Sequence, residues 1–410
     1  MPALVVLSHL RWKAAQGRVQ QLLTCLARHH RVLFIEEPVR SESGAWLACC
    51  DPLPGVTVLQ PHTPLDARGF HDDQLPVLRP LIADALEAHG LGDWIAWLCT
   101  PMALPLLSGL APQAVVYDCA DDLSLLADTP GEWHRLETAL MENADLVFAG
   151  GPSLYKARQA LNDRVHCLPS GVEARRFSPQ AAAARIDAML QAERVQGRIA
   201  GPRLGFCGVM DERVDMQLLA GVADARPDWQ LLMAGPVAPS LAARLPRREN
   251  IHWLGAQPPG LLPQLVGDWD LCLLPFVLDE TTRLLSPEQT LGYMAAEKPV
   301  VASAVPDVVT MYGDVVRIAH DLPGFLEACD WALSETPQKR AERVGEMLAT
   351  VARHSWDDAA HKVNDALARL PAARQREAAL PAPWDAMMEK TRPPVGARRD
   401  WRSAARADAV

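Results

Sequence analysis

Short apolar runs alternate along the chain with longer segments whose apolar positions recur at helical spacing. In the first half, ALVVLS (3–8), RVLFIE (31–36), DWIAWL (93–98), AVVYD (114–118), DLVFAG (145–150) and RVHCLP (164–169) read as strands. VQQLLTCLARHH (19–30) and GEWHRLETALMENA (131–144), between them, carry the 3.6-residue period of amphipathic helices. The second half repeats this grammar with RLGFCG (203–208), WQLLMAG (229–235), IHWLG (251–255), DLCLLPF (270–276), KPVVAS (298–303) and DVVRI (314–318). Strands that alternate with helices predict parallel sheets built from βαβ units. The pattern therefore predicts an α/β protein of two Rossmann-like, doubly wound domains facing across a cleft. The joint falls near SGVEARRFSPQ (170–180), which puts one domain at 1–172 and a second at 173–354. A return helix is expected at 355–370, followed by a tail at 371–410. Ligands of such sheets bind at the carboxyl ends of the strands.

The length of 410 residues fits two domains of ordinary size. A net charge of −10 argues against a general nucleic-acid binder. The apolar run at the N-terminus is too short for a signal segment, and no stretch is long enough to span a bilayer, so a cytoplasmic protein is expected. Nine scattered cysteines with no C-x-x-C spacing read as small core residues of a reducing compartment, and no structural zinc is expected. The tail differs from the body: it holds eight Arg or Lys and five Asp or Glu, a net of +3. It reads as mostly disordered. Its Trp384, Met387, Met388 and Trp401, set among basic residues, are the means by which it could dock on a protein partner or an anionic membrane surface.

Four stretches carry candidate chemistry. In SPEQ (286–289), Ser286 is a suitable N-cap, Pro287 suits the first helical position, and Gln289 can close a capping box. The positive end of such a helix is also an anion site. Glu288 would oppose a phosphate there, while Arg283 would offset it. In FCGVMDERVD (206–215), a strand ends at Gly208, and Arg213 in the following loop can reach a diphosphate or pair with a neighbouring acid. In LSHLRWKAAQGRVQQLL (7–23), His9, Arg11 and Trp12 follow a strand end, and Arg18 opens the next helix. His9 is a candidate general base because an imidazole titrates near neutrality, and it can equally be structural. In YDCADD (117–122), Asp118, Asp121 and Asp122 can bind sugar hydroxyls or cap the helix that follows. No G-x-G-x-x-G follows a strand and no G-x-x-x-x-G-K-[ST] is present, which disfavours dinucleotide oxidoreductases and P-loop ATPases.

Taken in order, SHLRW…R-x-QQLL, VVYDCADDLS, ADLVFAGGPSLY, VHCLPSGVEARRF, FCGVMDERVD and SPEQTLGYMAAEKPVV resemble bacterial glycosyltransferases of the GT-B type. The likeness is to the family 1/4-like group that builds cell-surface polysaccharides, and it spans roughly residues 3–370. It implies a glycosyltransferase that needs neither metal nor cofactor. The second domain would hold a nucleotide-diphosphate sugar (a UDP- or GDP-sugar). The first would hold a glycan or lipid-linked acceptor, and the enzyme could sit peripherally on the inner face of the cell membrane. By position, Gly208, Glu280, Thr282, Ser286 and Gln289 would line the donor side. Arg11, Trp12, Arg18 and Asp118 would line the acceptor side, with His9, Arg213 and Arg283 as the catalytic groups.

The chain departs from that pattern at ligand positions. Relatives show Lys where this chain has Gln289, Glu where it has Gly292, Gly where it has Glu297, Thr where it has Glu288, and Asp where it has Lys13. A lost charged contact costs about 1.5–3 kcal/mol, so two such losses would weaken a nucleotide roughly 100-fold or more. Two expectations follow: an active transferase with an altered donor pocket, or a non-enzymatic partner protein on the same scaffold.

Overall fold

The computed structural model describes residues 1–13, 17–124 and 131–370 of the chain. The tail, and with it the docking expectation for Trp384, Met387, Met388 and Trp401, lies outside the described residues.

The first sheet contains β1 (Ala3–Ser8), β2 (Val32–Glu36), β3 (Val39–Arg40), β4 (Trp46–Leu53), β5 (Val56–Thr63), β6 (Trp94–Leu98), β7 (Ala114–Cys119), β8 (Leu146–Ala149) and β9 (Val165–Cys167). Their order is β3-β5-β2-β1-β6-β7-β8-β9, with β4 paired antiparallel on β5 and every other pair parallel. β1, β2, β6, β7 and β8 are buried along their whole length, which is why each reads as a continuous apolar run. The β4–β5 hairpin escaped the sequence reading for the opposite reason. β4 is a mostly exposed edge strand, WLACCDPL, and has neither a buried run nor a clean alternation.

The second sheet contains β10 (Arg203–Cys207), β11 (Gln230–Ala234), β12 (Ile251–Gly255), β13 (Leu271–Leu274), β14 (Val300–Ser303) and β15 (Arg317–Ala319). It is wholly parallel in the order β12-β11-β10-β13-β14-β15, the doubly wound arrangement of dinucleotide-binding sheets. Chain order reverses direction beside β1 in the first sheet and beside β10 in the second, and clefts for ligands open at such points.

Seven helices position the cleft: α1 (Arg18–Leu26), α2 (Pro152–Arg158), α3 (Ala174–Phe177), α4 (Met216–Ala225), α5 (Gln289–Ala295), α6 (Pro306–Tyr312) and α7 (Trp356–Ala368). α7 starts at Ser355, whose hydroxyl accepts from the Asp358 amide at 3.0 Å. It lays Trp356, Ala359, Ala360, Val363 and Leu367 against α1 and the core of the first domain. The chain thus returns to the domain in which it began. Leu284, from a loop of the second domain, is buried in the core of the first and pins the two together.

α5 ends in a Schellman arrangement: the Lys298 amide donates to Tyr293 and the Glu297 amide to Met294. Glu297 takes φ 60°, the left-handed geometry that a glycine adopts without strain. This is the conformation for which the glycine that the family resemblance implies at this position would be suited.

Candidate functional site

A cavity of about 450 Å³ lies between the carboxyl ends of the two sheets. The first domain contributes Gly17, Arg18 and Asp121 to its walls, and the second contributes Gly208, Asp211, Arg213, Ser286, Glu288 and Gln289. Phe177, Phe206, Leu262, Phe276 and Leu285 supply the apolar side. Another cavity, of about 590 Å³, surrounds Arg31, Leu53 and His89. It sits at the amino ends of the strands, where doubly wound sheets do not bind ligands.

Arg213 is the most constrained cation of the cleft. Its Nε donates to both oxygens of Asp211, at 3.0 and 3.1 Å, and its Nη2 donates to Asp211 at 2.6 Å. Its Nη1 reaches across the cleft to Asp121 Oδ2 at 2.6 Å. Burial pushes the Asp121 carboxyl up, and Arg213 opposes that shift. The loop that carries Arg213 is strapped down by its own backbone, because Val277 donates to the Arg213 carbonyl at 2.9 Å. The strand that feeds this loop is fixed by the fully buried Tyr293, whose hydroxyl accepts from the Cys207 amide at 2.8 Å.

Two further carboxylates of the second domain cross the cleft. Glu288 accepts from the Ser170 hydroxyl at 2.9 Å and from the backbone of Arg18 at the start of α1. Its carboxyl is pushed up by the crowding of protein around it. Asp307 accepts from the Ser153 amide at 2.9 Å and so caps α2 of the first domain. The domains meet closely here: a Cβ on Gly151 would stand 2.0 Å from Asp307 Oδ2, so only glycine fits.

Several sequence-based placements are corrected. Ser286 does not cap α5. The helix opens at Gln289 with Glu288 in the cap position and no side-chain cap bond, so the capping box does not form. Glu288 points away from its own helix towards Ser170, so it does not guard that helix end as expected. Trp12 does not face the cleft; it is 3% exposed and packs edge-on against Phe34. Arg11 binds Glu36 and the carbonyls of Glu37 and Pro38, which ties a loop to β2. His9 is half-buried with Nδ1 unpartnered, its pKa is lowered by burial, and it does not line the cavity. Arg18 lines the cavity, but its guanidinium is occupied: it donates to Asp118 at 2.9 Å and to the Leu168 carbonyl at 2.6 Å. Asp118 is buried behind that pair. Glu280 and Arg283 form an exposed pair at 2.8 Å outside the cavity lining. Thr282 is buried and donates to the Val277 carbonyl, a turn contact. Gly208, Arg213, Ser286 and Gln289 do line the cavity.

Sequence reasoning missed Phe177 and Asp307, and saw no role in the cleft for Asp211. Phe177 ends a basic stretch that reads as a linker, yet it forms α3 and lays its ring on α5. A Cβ on Gly292 would stand 3.2 Å from two carbons of that ring. The aromatic ring thus fills the space that a side chain at 292 would need.

This architecture, two Rossmann-like domains with a cavity between the carboxyl ends of their sheets, is the GT-B fold. Residues 201–335 match the family model described as glycosyl transferases group 1. The chain is 27% identical over 301 residues to a Bacillus subtilis protein provisionally named the teichuronic acid biosynthesis glycosyltransferase TuaH; the match covers 68% of this chain and 73% of that protein. Among solved structures, it is similar to the sucrose-phosphate synthase of Thermosynechococcus elongatus, with TM-score 0.69, 16% identity and coverage of 90% and 99% of the two chains. The Anabaena protein HepE, solved in complex with UDP and glucose, gives TM-score 0.65 and 15% identity, with 90% of this chain and 100% of that one covered. The chain thus has the GT-B fold, and over residues 201–335 it is similar to the group 1 glycosyl transferases.

Proposed function

We propose that the cleft cavity takes the nucleotide diphosphate of a nucleotide-sugar donor, with UDP as the nucleotide, and that the sugar passes to a hydroxyl of a cell-surface glycan or lipid-linked acceptor. The observation that carries this reading is Arg213, a largely buried cation that lines the same cavity wall as Gly208 and Ser286, in the loop after β10. In the transfer, the acceptor oxygen forms a bond to the anomeric carbon as the bond from that carbon to the diphosphate breaks, and the hydroxyl proton passes to the departing phosphate or to water. Negative charge then grows on the leaving phosphate, and a fixed cation there lowers the barrier without reorganising. Support for the uridine nucleotide comes from HepE, solved with UDP and glucose, and from the E. coli trehalose-6-phosphate structure bound with UDP-2-fluoro glucose. The teichuronic acid relative supports a cell-surface acceptor. A lipid-linked acceptor would bring the protein to the membrane surface; among the described residues no helix is long and apolar enough to cross it.

The test is calorimetric titration with UDP, GDP and a panel of their sugars. Micromolar binding of one nucleotide, lost in Arg213→Ala, supports the reading. A folded protein that binds none of them at millimolar concentration overturns it in favour of the non-enzymatic partner.

A further inference from the structure

The contacts of Arg213 raise a problem for the function just proposed, and the inference below rests on that reading. Each of the three guanidinium nitrogens already donates to a carboxylate oxygen. One cation facing two carboxylates leaves a local net charge of −1, which repels an incoming diphosphate. One of the two acids must therefore give way, and their surroundings are unequal. Asp211 belongs to the same loop as Arg213. It takes three guanidinium contacts and also accepts from the Arg213 amide at 3.0 Å, and its side chain is 10% exposed. Asp121 comes from the other domain, makes one contact with the guanidinium, and is 31% exposed. The Asp122 amide, at 2.9 Å, holds its other oxygen. Asp211 fixes the direction in which Arg213 points, whereas Asp121 occupies an outer position that a small displacement of one domain would vacate.

We infer that Asp121 stands in for the donor diphosphate at Arg213: it keeps the cation aimed into the cavity while the site is empty, and the diphosphate displaces it on binding. Donor binding then breaks the Asp121–Arg213 bridge between the domains. Other contacts between the domains persist, among them those of Glu288 with Ser170 and the Arg18 backbone, that of Asp307 with the Ser153 amide, and the burial of Leu284 in the first core. Asp121 is in this sense a positioning residue.

The experiment measures calorimetric affinities of wild type, Asp121→Asn, Arg213→Ala and the double variant for uridine and for UDP. With Asp121→Asn, UDP should bind at least tenfold more tightly, about 1.4 kcal/mol, and uridine should bind unchanged. In the Arg213→Ala background the same substitution should give no gain. A merely structural role would alter both ligands alike and would not depend on Arg213. Should thermal unfolding show Asp121→Asn to be damaged, Asp121→Ser gives the same comparison. UDP binding that is unchanged or weakened in both substitutions overturns the inference and leaves the donor reading intact. Absence of UDP binding in wild type and variants alike overturns both.

Discussion

Gln289→Lys tests whether the diphosphate lies at the start of α5. Gln289 lines the cavity, and its amide nitrogen faces Gly208 so closely that a Cβ there would stand 3.1 Å away. A lysine at this point replaces a neutral hydrogen-bond donor with a charged one. Neutral contacts contribute about 0.5–1.5 kcal/mol and charged ones about 1.5–3 kcal/mol. The neighbouring carboxylate of Glu288 will hold part of the new charge, so the expected gain is about 1 kcal/mol, or roughly fivefold in Kd for UDP. Gly292→Glu, the other residue that relatives carry, should behave differently. Its Cβ meets the Phe177 ring at 3.2 Å, so alone it displaces the ring and lowers thermal stability. Combined with Phe177→Ala, the same carboxylate has room. Titration of the four proteins with UDP and with uridine is the assay. If Gln289→Lys leaves the affinity for UDP unchanged, or raises that for uridine equally, the diphosphate does not bind at α5 and the placement is refuted.

Two further predictions concern stability. Glu297→Gly relieves a left-handed residue at a cost of about 1–2 kcal/mol and adds chain entropy to the unfolded state, about 0.5–1 kcal/mol. A net stabilisation of about 0.5–1 kcal/mol is expected from urea unfolding, and Glu297→Ala should show none. Burial pushes the Glu37 carboxyl up to about 7, against the opposing pull of Arg11. Its folded value lies above its unfolded one, so the stability it contributes is full below about pH 4.5 and is lost as pH rises through about 7. Glu37→Gln should match wild type near pH 4.5 and exceed it at pH 8 by on the order of 1–3 kcal/mol; equal stability at both pH values would count against the assignment.

The sheets were legible because their central strands are buried on both faces, so apolar runs such as ALVVLS and DLCLL mark them directly. The β4–β5 hairpin was not, since an exposed edge strand carries no such mark. In the site, Gly208 and Arg213 could be placed from the sequence because a strand end and the loop after it fix where they point. The first-domain residues misled because Arg11, Trp12 and Arg18 have local spacing that fits a cleft, while their partners lie far away in the chain. Arg18 meets Asp118 and Leu168, and Trp12 meets Phe34. No local pattern announces such pairings.

The same distinction explains why residue changes at ligand positions are weak evidence of a lost site. Gly292 looked like a lost ligand residue, yet in the fold it makes room for the ring of Phe177. Glu288 looked like a repulsive acid on α5, yet it reaches Ser170 and the first turn of α1 in the other domain. These two altered positions make a packing contact and an inter-domain contact, which a cleft free to drift would not require. The carboxylates of Asp121, Glu288 and Asp307 all join the two domains, and the first two lie in the cavity wall. An anionic donor entering there acts on the contacts that hold the domains together, so binding and domain movement share the same residues. Substitutions at Asp121 and Glu288 should therefore change the affinity for UDP more than the affinity for uridine, and titrating each variant with both ligands measures that difference.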